Sequence, residues 1–101
     1  VYGPRDPQHR LFEYLKRMDD GRPAILLEEG LANWRWTRGY VENVAVAITL
    51  AVTNEQAAGR IYNVGEAKAL SIAEWVRKIG RAAGWKGNVV IAPEGRLPVH
   101  L

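Results

Sequence analysis

Arg38-Gly39-Tyr40-Val41-Glu42-Asn43-Val44-Ala45 is the stretch whose reading decides the fold, because the hydrophobic period changes inside it. Upstream, Trp34, Trp36 and Tyr40 stand at even spacing with Arg35, Thr37 and Gly39 between them. That alternation predicts a half-buried strand over residues 30–40 with its aromatic face inward. From Glu42 onward Val44, Ala45, Ala47, Ile48, Ala51 and Val52 fall on one helical stripe. The stripe predicts a helix running to about Asn54, with Gly59 ending the connection.

Towards the N-terminus, Asp6-Pro7 reads as a cap followed by a proline in the first turn, where its missing N–H costs nothing. Leu11, Phe12, Leu15 and Met18 then recur at three- and four-residue spacing, which predicts a helix from about Pro7 to Asp19, closed by Gly21 and Pro23. Ala24 to Leu27 is a short apolar run after a proline and reads as a strand. Towards the C-terminus, Arg60 to Val64 reads as a compact strand and Gly65 as its turn. Ser71 with Glu74 three residues on is a capping box, in which hydroxyl and carboxylate each satisfy a backbone N–H at a helix start. Ile72, Trp75, Val76, Ile79 and Ala83 form that helix's apolar face, Gly84 is its stop, and Asn88 to Ala92 is a last strand. The expected fold class is therefore α/β: a small mixed domain of about three helices and four short strands.

With 101 residues, 48% of them hydrophobic, the chain has material for one modest core, so a single globular unit over residues 1–101 is expected. Nothing approaches the roughly 18 consecutive apolar residues of a membrane span, and no signal peptide is legible, so a cytoplasmic protein without a membrane partner is expected. The absence of cysteine excludes disulfides, thiolate metal sites and a cysteine nucleophile within this chain. Two histidines, His9 and His100, are too far apart to form a metal motif, so no metal is expected. The net charge of +3 is scattered among eleven acids. That suits an ordinary surface or a phosphate-bearing small ligand, and it argues against nucleic acid. The chain starts at Val1, its only methionine is Met18, and it stops at His100-Leu101; both ends read as cut from a longer protein.

Val1-Tyr2-Gly3-Pro4, then Arg38 to Ala45, then Ile61-Tyr62-Asn63-Val64-Gly65, then Ser71-Ile72-Ala73-Glu74 resemble, in this order, the C-terminal half of an NAD(P)-dependent epimerase/dehydratase of the extended short-chain dehydrogenase/reductase family. The resemblance implies a substrate-binding portion that recognises a nucleotide-sugar or related small molecule. It also implies a parent enzyme in which an N-terminal dinucleotide-binding domain, missing here, holds NAD or NADP. The chain itself lacks the family's chemistry. Its four tyrosines are followed at the fourth position by Asp6, Met18, Val44 and Glu66, never by lysine, and its ten glycines are dispersed. No catalytic residue is assigned, and no cofactor is expected to bind this chain alone.

Arginines remain the strongest binding candidates, since a planar, permanently charged fork can reach two phosphate oxygens at once. The family places one diphosphate arginine ahead of its Tyr-Val-Asp-Asp-Val-Ala type segment, which nominates Arg35 first and Arg38 close behind. The spacing departs from the family pattern, with Trp36 where a simple count puts the arginine and Glu42-Asn43 in place of the acidic pair. A second family arginine follows the last strand and nominates Arg96, although the Gly-Asp that should follow is absent. Ile25 and Leu27 correspond to the edge against which a nucleoside base is sandwiched, and core packing explains them equally well. Tyr2 and Pro4 match the family's Tyr-Gly-Pro turn near the sugar. His9 and Arg10 read as solvated first-turn residues. Two other readings stand beside this one: a stand-alone non-catalytic ligand-binding module, and a self-associating structural fragment. In the family the strand equivalent to Arg60–Val64 joins the dinucleotide-binding sheet, so a chain lacking that domain is expected to form a homo-oligomer.

Overall fold

The structure, a computed structural model, describes residues 1–95. By internal contacts it comprises two compact units, Val1–His9 with Thr37–Ala69, and Arg10–Trp36 with the chain from Leu70 onward. The fold is small mixed α/β, with four α-helices and four strands among the described residues. The helix beyond the three expected is a single turn, Glu29–Ala32, at the start of the segment expected to be strand.

The second unit holds the apolar core. Strands β1 (Ala24–Glu28) and β4 (Asn88–Ala92) pair in parallel from Ala24↔Asn88 to Glu28↔Ala92. Helix α4 (Ile72–Ala83) packs on β4 and on helix α1 (Phe12–Asp19). Its start is the expected capping box: the Glu74 N–H donates to Ser71 Oγ at 3.2 Å and the Ser71 N–H donates to Glu74 Oε2 at 3.3 Å. Gly84 ends it in the left-handed region, at φ 73°. Ile72, Ala73, Trp75, Val76, Ile79 and Gly80 are its buried face, while Ala83 is exposed. They meet Met18, Ile25, Leu27 and Ala32 in one core, where each large side chain contributes about 1.5–3 kcal/mol of burial.

Trp85 closes this unit from the side. A Cβ on Gly87 would lie 2.2 Å from its Cζ2, and one on Gly80 would lie 2.8 Å from its Cε3, so only glycine admits the indole at this distance.

Expectations for both units need correction. Helix α1 starts at Phe12 rather than Pro7, because Asp6 Oδ1 accepts the Gln8 N–H at 3.0 Å in a local turn and His9 sits at φ 47°, which breaks helical propagation. The predicted strand over 30–40 is instead helix α2 (Glu29–Ala32), the two-residue strand β2 (Arg35–Trp36) and an irregular approach to Tyr40. β2 pairs antiparallel with β3 (Leu70–Ser71) through Arg35↔Ser71 and Trp36↔Leu70. The even spacing does put Trp34 and Trp36 side by side, with centroids 4.9 Å apart, but both are exposed rather than turned inward. They cover each other, and the ladder is too short to press them against a core.

The first unit contains helix α3 (Val41–Thr53), close to its predicted bounds. The expected buried stripe is absent: no residue of α3 is buried, and Val52 is 79% exposed. Arg60–Val64 is not a strand, and no strand among the described residues pairs with it. A strand needs a neighbour to satisfy its N–H and C=O groups, and here the segment faces outward, with Ile61 98% exposed. Gly39 is the one buried residue of this unit among those described.

Candidate functional site

In the first unit the Val1–Pro4 turn is tied to the segment before α3 by a short parallel bridge. The Tyr2 N–H donates to the Gly39 carbonyl at 2.9 Å, and the Val41 N–H donates to the Tyr2 carbonyl at 2.8 Å. Gly3 adopts φ 149° against Val41, where a Cβ would come within 2.5 Å of Val41 Cγ1. A second anchor brings in a residue far along the chain: the Glu66 N–H donates to the Arg38 carbonyl at 2.9 Å. Four side chains are thereby gathered and half-buried: Tyr2, Arg38, Tyr40 and Glu66.

The Tyr2 hydroxyl donates to Glu66 Oε1 at 3.2 Å, and the Tyr2 and Tyr40 rings lie 5.5 Å apart at 54°. Burial pushes the Tyr2 phenol above its usual range. The Glu66 charge and the hydrogen bond it accepts push the same way, as does Tyr40, while the Arg38 guanidinium pulls it down. At neutral pH the phenol is a proton donor held on a carboxylate, with a guanidinium in its field. Chemically, such a combination offers hydrogen-bonding capacity to hydroxyl groups and a positive charge to phosphate. Pro4, the other nominated residue of this turn, is exposed, and Arg5 beside it has a φ of 66°.

In the second unit Arg35 stands on β2 with its Nη2 3.4 Å from Glu74 Oε1, both side chains exposed. Glu74 thus serves a helix cap and an arginine together. Ile25 and Leu27 are 1% and 4% exposed, so their side chains are committed to the core, and Leu26 between them faces outward. The edge of β1 opposite β4 carries no further strand among the described residues. Arg96 lies outside the described residues. His9 and Arg10 are exposed.

Apart from Tyr40, Glu66 is the member of this cluster that the sequence alone did not nominate. It entered only as the non-lysine four positions after Tyr62, and nothing in local spacing signals a contact with a tyrosine 64 residues away.

Among the described residues no group of three or more histidine, aspartate or glutamate side chains could hold a metal. A dinucleotide's pyrophosphate does not fit these residues either. It requires glycines at a helix N-terminus, where free N–H groups and the positive end of the dipole converge. Here the closest-spaced glycines, Gly80, Gly84 and Gly87, flank the C-terminal end of α4, which carries the opposite sign.

The architecture is that of a small α/β protein with an aromatic and arginine-bearing polar cluster. The sequence pattern of the NAD dependent epimerase/dehydratase family matches residues 1–65, and the chain belongs to that family. The match takes in Tyr2, Arg35, Arg38 and the Ile61–Gly65 segment, and it ends one residue before Glu66. No curated protein and no solved structure matches the chain.

Proposed function

We propose that this chain is the C-terminal, substrate-recognising portion of an extended short-chain dehydrogenase/reductase, an NAD(P)-dependent nucleotide-sugar epimerase or dehydratase. The observation that carries the reading is the half-buried Tyr2, Arg38, Tyr40, Glu66 cluster, fixed by backbone bonds inside or directly beside the span that matches the family. Its task is orientation: binding energy drawn from the remote nucleotide places the sugar for chemistry performed elsewhere. NAD or NADP supplies hydride transfer from a preceding dinucleotide-binding domain.

Arg38, Arg35 and Arg96 are each proposed as diphosphate donors. Arg35 must exchange Glu74 for phosphate, which costs little because an exposed pair is weak. Tyr2 and Pro4 are proposed to face the sugar. The unpaired edge of β1, with Ile25 and Leu27 holding the strand in place from the core side, is proposed to receive the base through its backbone groups.

The uncovered face of α3 supports a preceding domain as part of this proposal. A thirteen-residue helix in which nine residues are apolar, with none of them buried, needs a covering layer, as does the unpaired Arg60–Val64 segment. In the isolated chain the same surface is proposed to bring copies together as a homo-oligomer. No described helix is long and apolar enough to cross a membrane, and a cytoplasmic setting belongs to the same proposal.

Calorimetric titration with UDP-glucose, dTDP-glucose and GDP-mannose tests the reading. Replacing Arg35, Arg38 and Arg96 singly by alanine is expected to weaken binding by about 1–3 kcal/mol each. Unchanged affinity in all three would remove the diphosphate assignment.

A further inference from the structure

We infer that Glu66 is a specificity-determining residue: together with Tyr2 it reads a hydroxyl group of the ligand's sugar. The inference rests on the proposed nucleotide-sugar function and adds a residue that neither the family's matched span nor the motif spacing assigns.

The chemistry follows from hydrogen-bond inventories. A phenol has one proton to give and two lone pairs with which to accept, and an ionised carboxylate only accepts. Tyr2 commits its proton to Glu66 Oε1. What the pair presents to a ligand is therefore acceptor capacity, strengthened on the phenol oxygen by the negative charge behind its O–H. A ligand group answering it must donate. Sugar hydroxyls donate and phosphate oxygens do not, so the pair selects the sugar, and the neighbouring Arg38 supplies the opposite preference for phosphate.

Placement supports use rather than accident. Tyr2 is held by its own N–H and carbonyl on Gly39 and Val41, and Glu66 by its N–H on the Arg38 carbonyl, so both side chains leave fixed backbone. In the turn that delivers Glu66, Gly65 packs closely on Thr37, where a Cβ would lie 2.3 Å from Thr37 Cγ2. Glu66 sits outside every helix and strand, and it is half-buried beside two aromatic rings. A carboxylate in such a place costs desolvation that a solvent-facing residue avoids.

Other features carry less. The groove between α3 and Tyr62–Val64 is the surface already attributed to a covering domain, and the groove formed by Phe12, Leu15 and Trp85 has mixed lining charges, Lys16 and Asp19, that favour no occupant.

The test is calorimetry of wild type, Glu66→Ala, Tyr2→Phe and the double variant, each titrated with UDP-glucose, dTDP-glucose and GDP-mannose and with UDP, dTDP and GDP alone. Both single variants are expected to weaken the best-bound nucleotide-sugar about tenfold while leaving the matching nucleoside diphosphate within about twofold, and the double variant is expected to lose no more than either single one. Equal losses for sugar nucleotide and bare diphosphate would mean that the pair only maintains the fold, and the assignment is overturned. Wild-type binding that both single variants retain in full also overturns it, leaving the nucleotide-sugar function standing. Absence of wild-type binding to every probe removes that function and this inference together. Tyr2→Phe keeps the ring contact with Tyr40, and Glu66→Gln, which keeps the side chain's size and removes its charge, carries the Glu66 arm with the same expected outcome where Glu66→Ala does not fold.

Discussion

The indole N–H of Trp85 donates to the main-chain carbonyl of Arg22 at 2.7 Å, joining the loop after α4 to the loop before β1. The Asn88 N–H reaches the Pro23 carbonyl at 3.0 Å in the same place, so the two parallel strands are brought into register where they begin. Trp85→Phe removes the indole bond and keeps most of the ring, and is expected to cost about 1 kcal/mol in urea unfolding. Gly87→Ala drives a methyl into the same ring and is expected to cost more, about 1–3 kcal/mol.

Ser71→Ala is expected to lower stability by about 1 kcal/mol, since it removes the side-chain half of the capping box. Arg35→Ala, which removes the exposed pair with Glu74, is expected to change stability by less than about 1 kcal/mol. Chemical unfolding of both variants checks the contrast, and it licenses reading any ligand-binding loss in Arg35→Ala as loss of a ligand contact.

Tyr2 gives the chain an alkaline signature. Its phenol titrates above its ordinary range in the folded state, so folding favours the protonated form. The associated stability is complete below the unfolded value of about 10 and is lost as pH rises through the folded value. Wild type is expected to lose more stability than Tyr2→Phe between pH 9 and 11. Parallel pH profiles for the two proteins would contradict the burial of the Tyr2 phenol beside Glu66.

Ile48 and Val52 on α3 are 57% and 79% exposed. Replacing both by lysine is expected to leave unfolding free energy within about 1 kcal/mol, because surface positions carry little stability. The same change is expected to shift the sedimentation profile from oligomer to monomer. A wild type that sediments as a monomer at high concentration removes the self-association proposal.

Elements whose determinants are local were legible in the sequence. The capping box at Ser71 and Glu74 and the stop at Gly84 fix α4 within a few residues, and the apolar run after Pro23 fixes β1. Patterns that depend on a partner misled. Trp34, Trp36 and Tyr40 carry the spacing of a strand, yet their environment is set by which layer lies against them. Residues 60–64 have strand composition without a strand to pair with. In the Tyr2, Arg38, Tyr40, Glu66 cluster, Tyr2 and Arg38 were nominated because they sit in recognisable motifs. Glu66 was not, because its meaning lies in a contact spanning 64 residues and no periodicity encodes such a contact.

The ladder between β2 and β3 sets Trp36 directly across from Leu70, so the chain leaves the core-bearing unit and returns to it at neighbouring positions. Residues 37–69 therefore occupy the place of a hairpin turn. A two-residue Asn-Gly linker from Trp36 to Leu70, in a chain started at Arg10, would bridge the same gap. It would yield a miniature protein that retains the parallel strand pair, α4 and its cap, a scaffold on which loops of other origin can be mounted at a position where a long excursion is already tolerated.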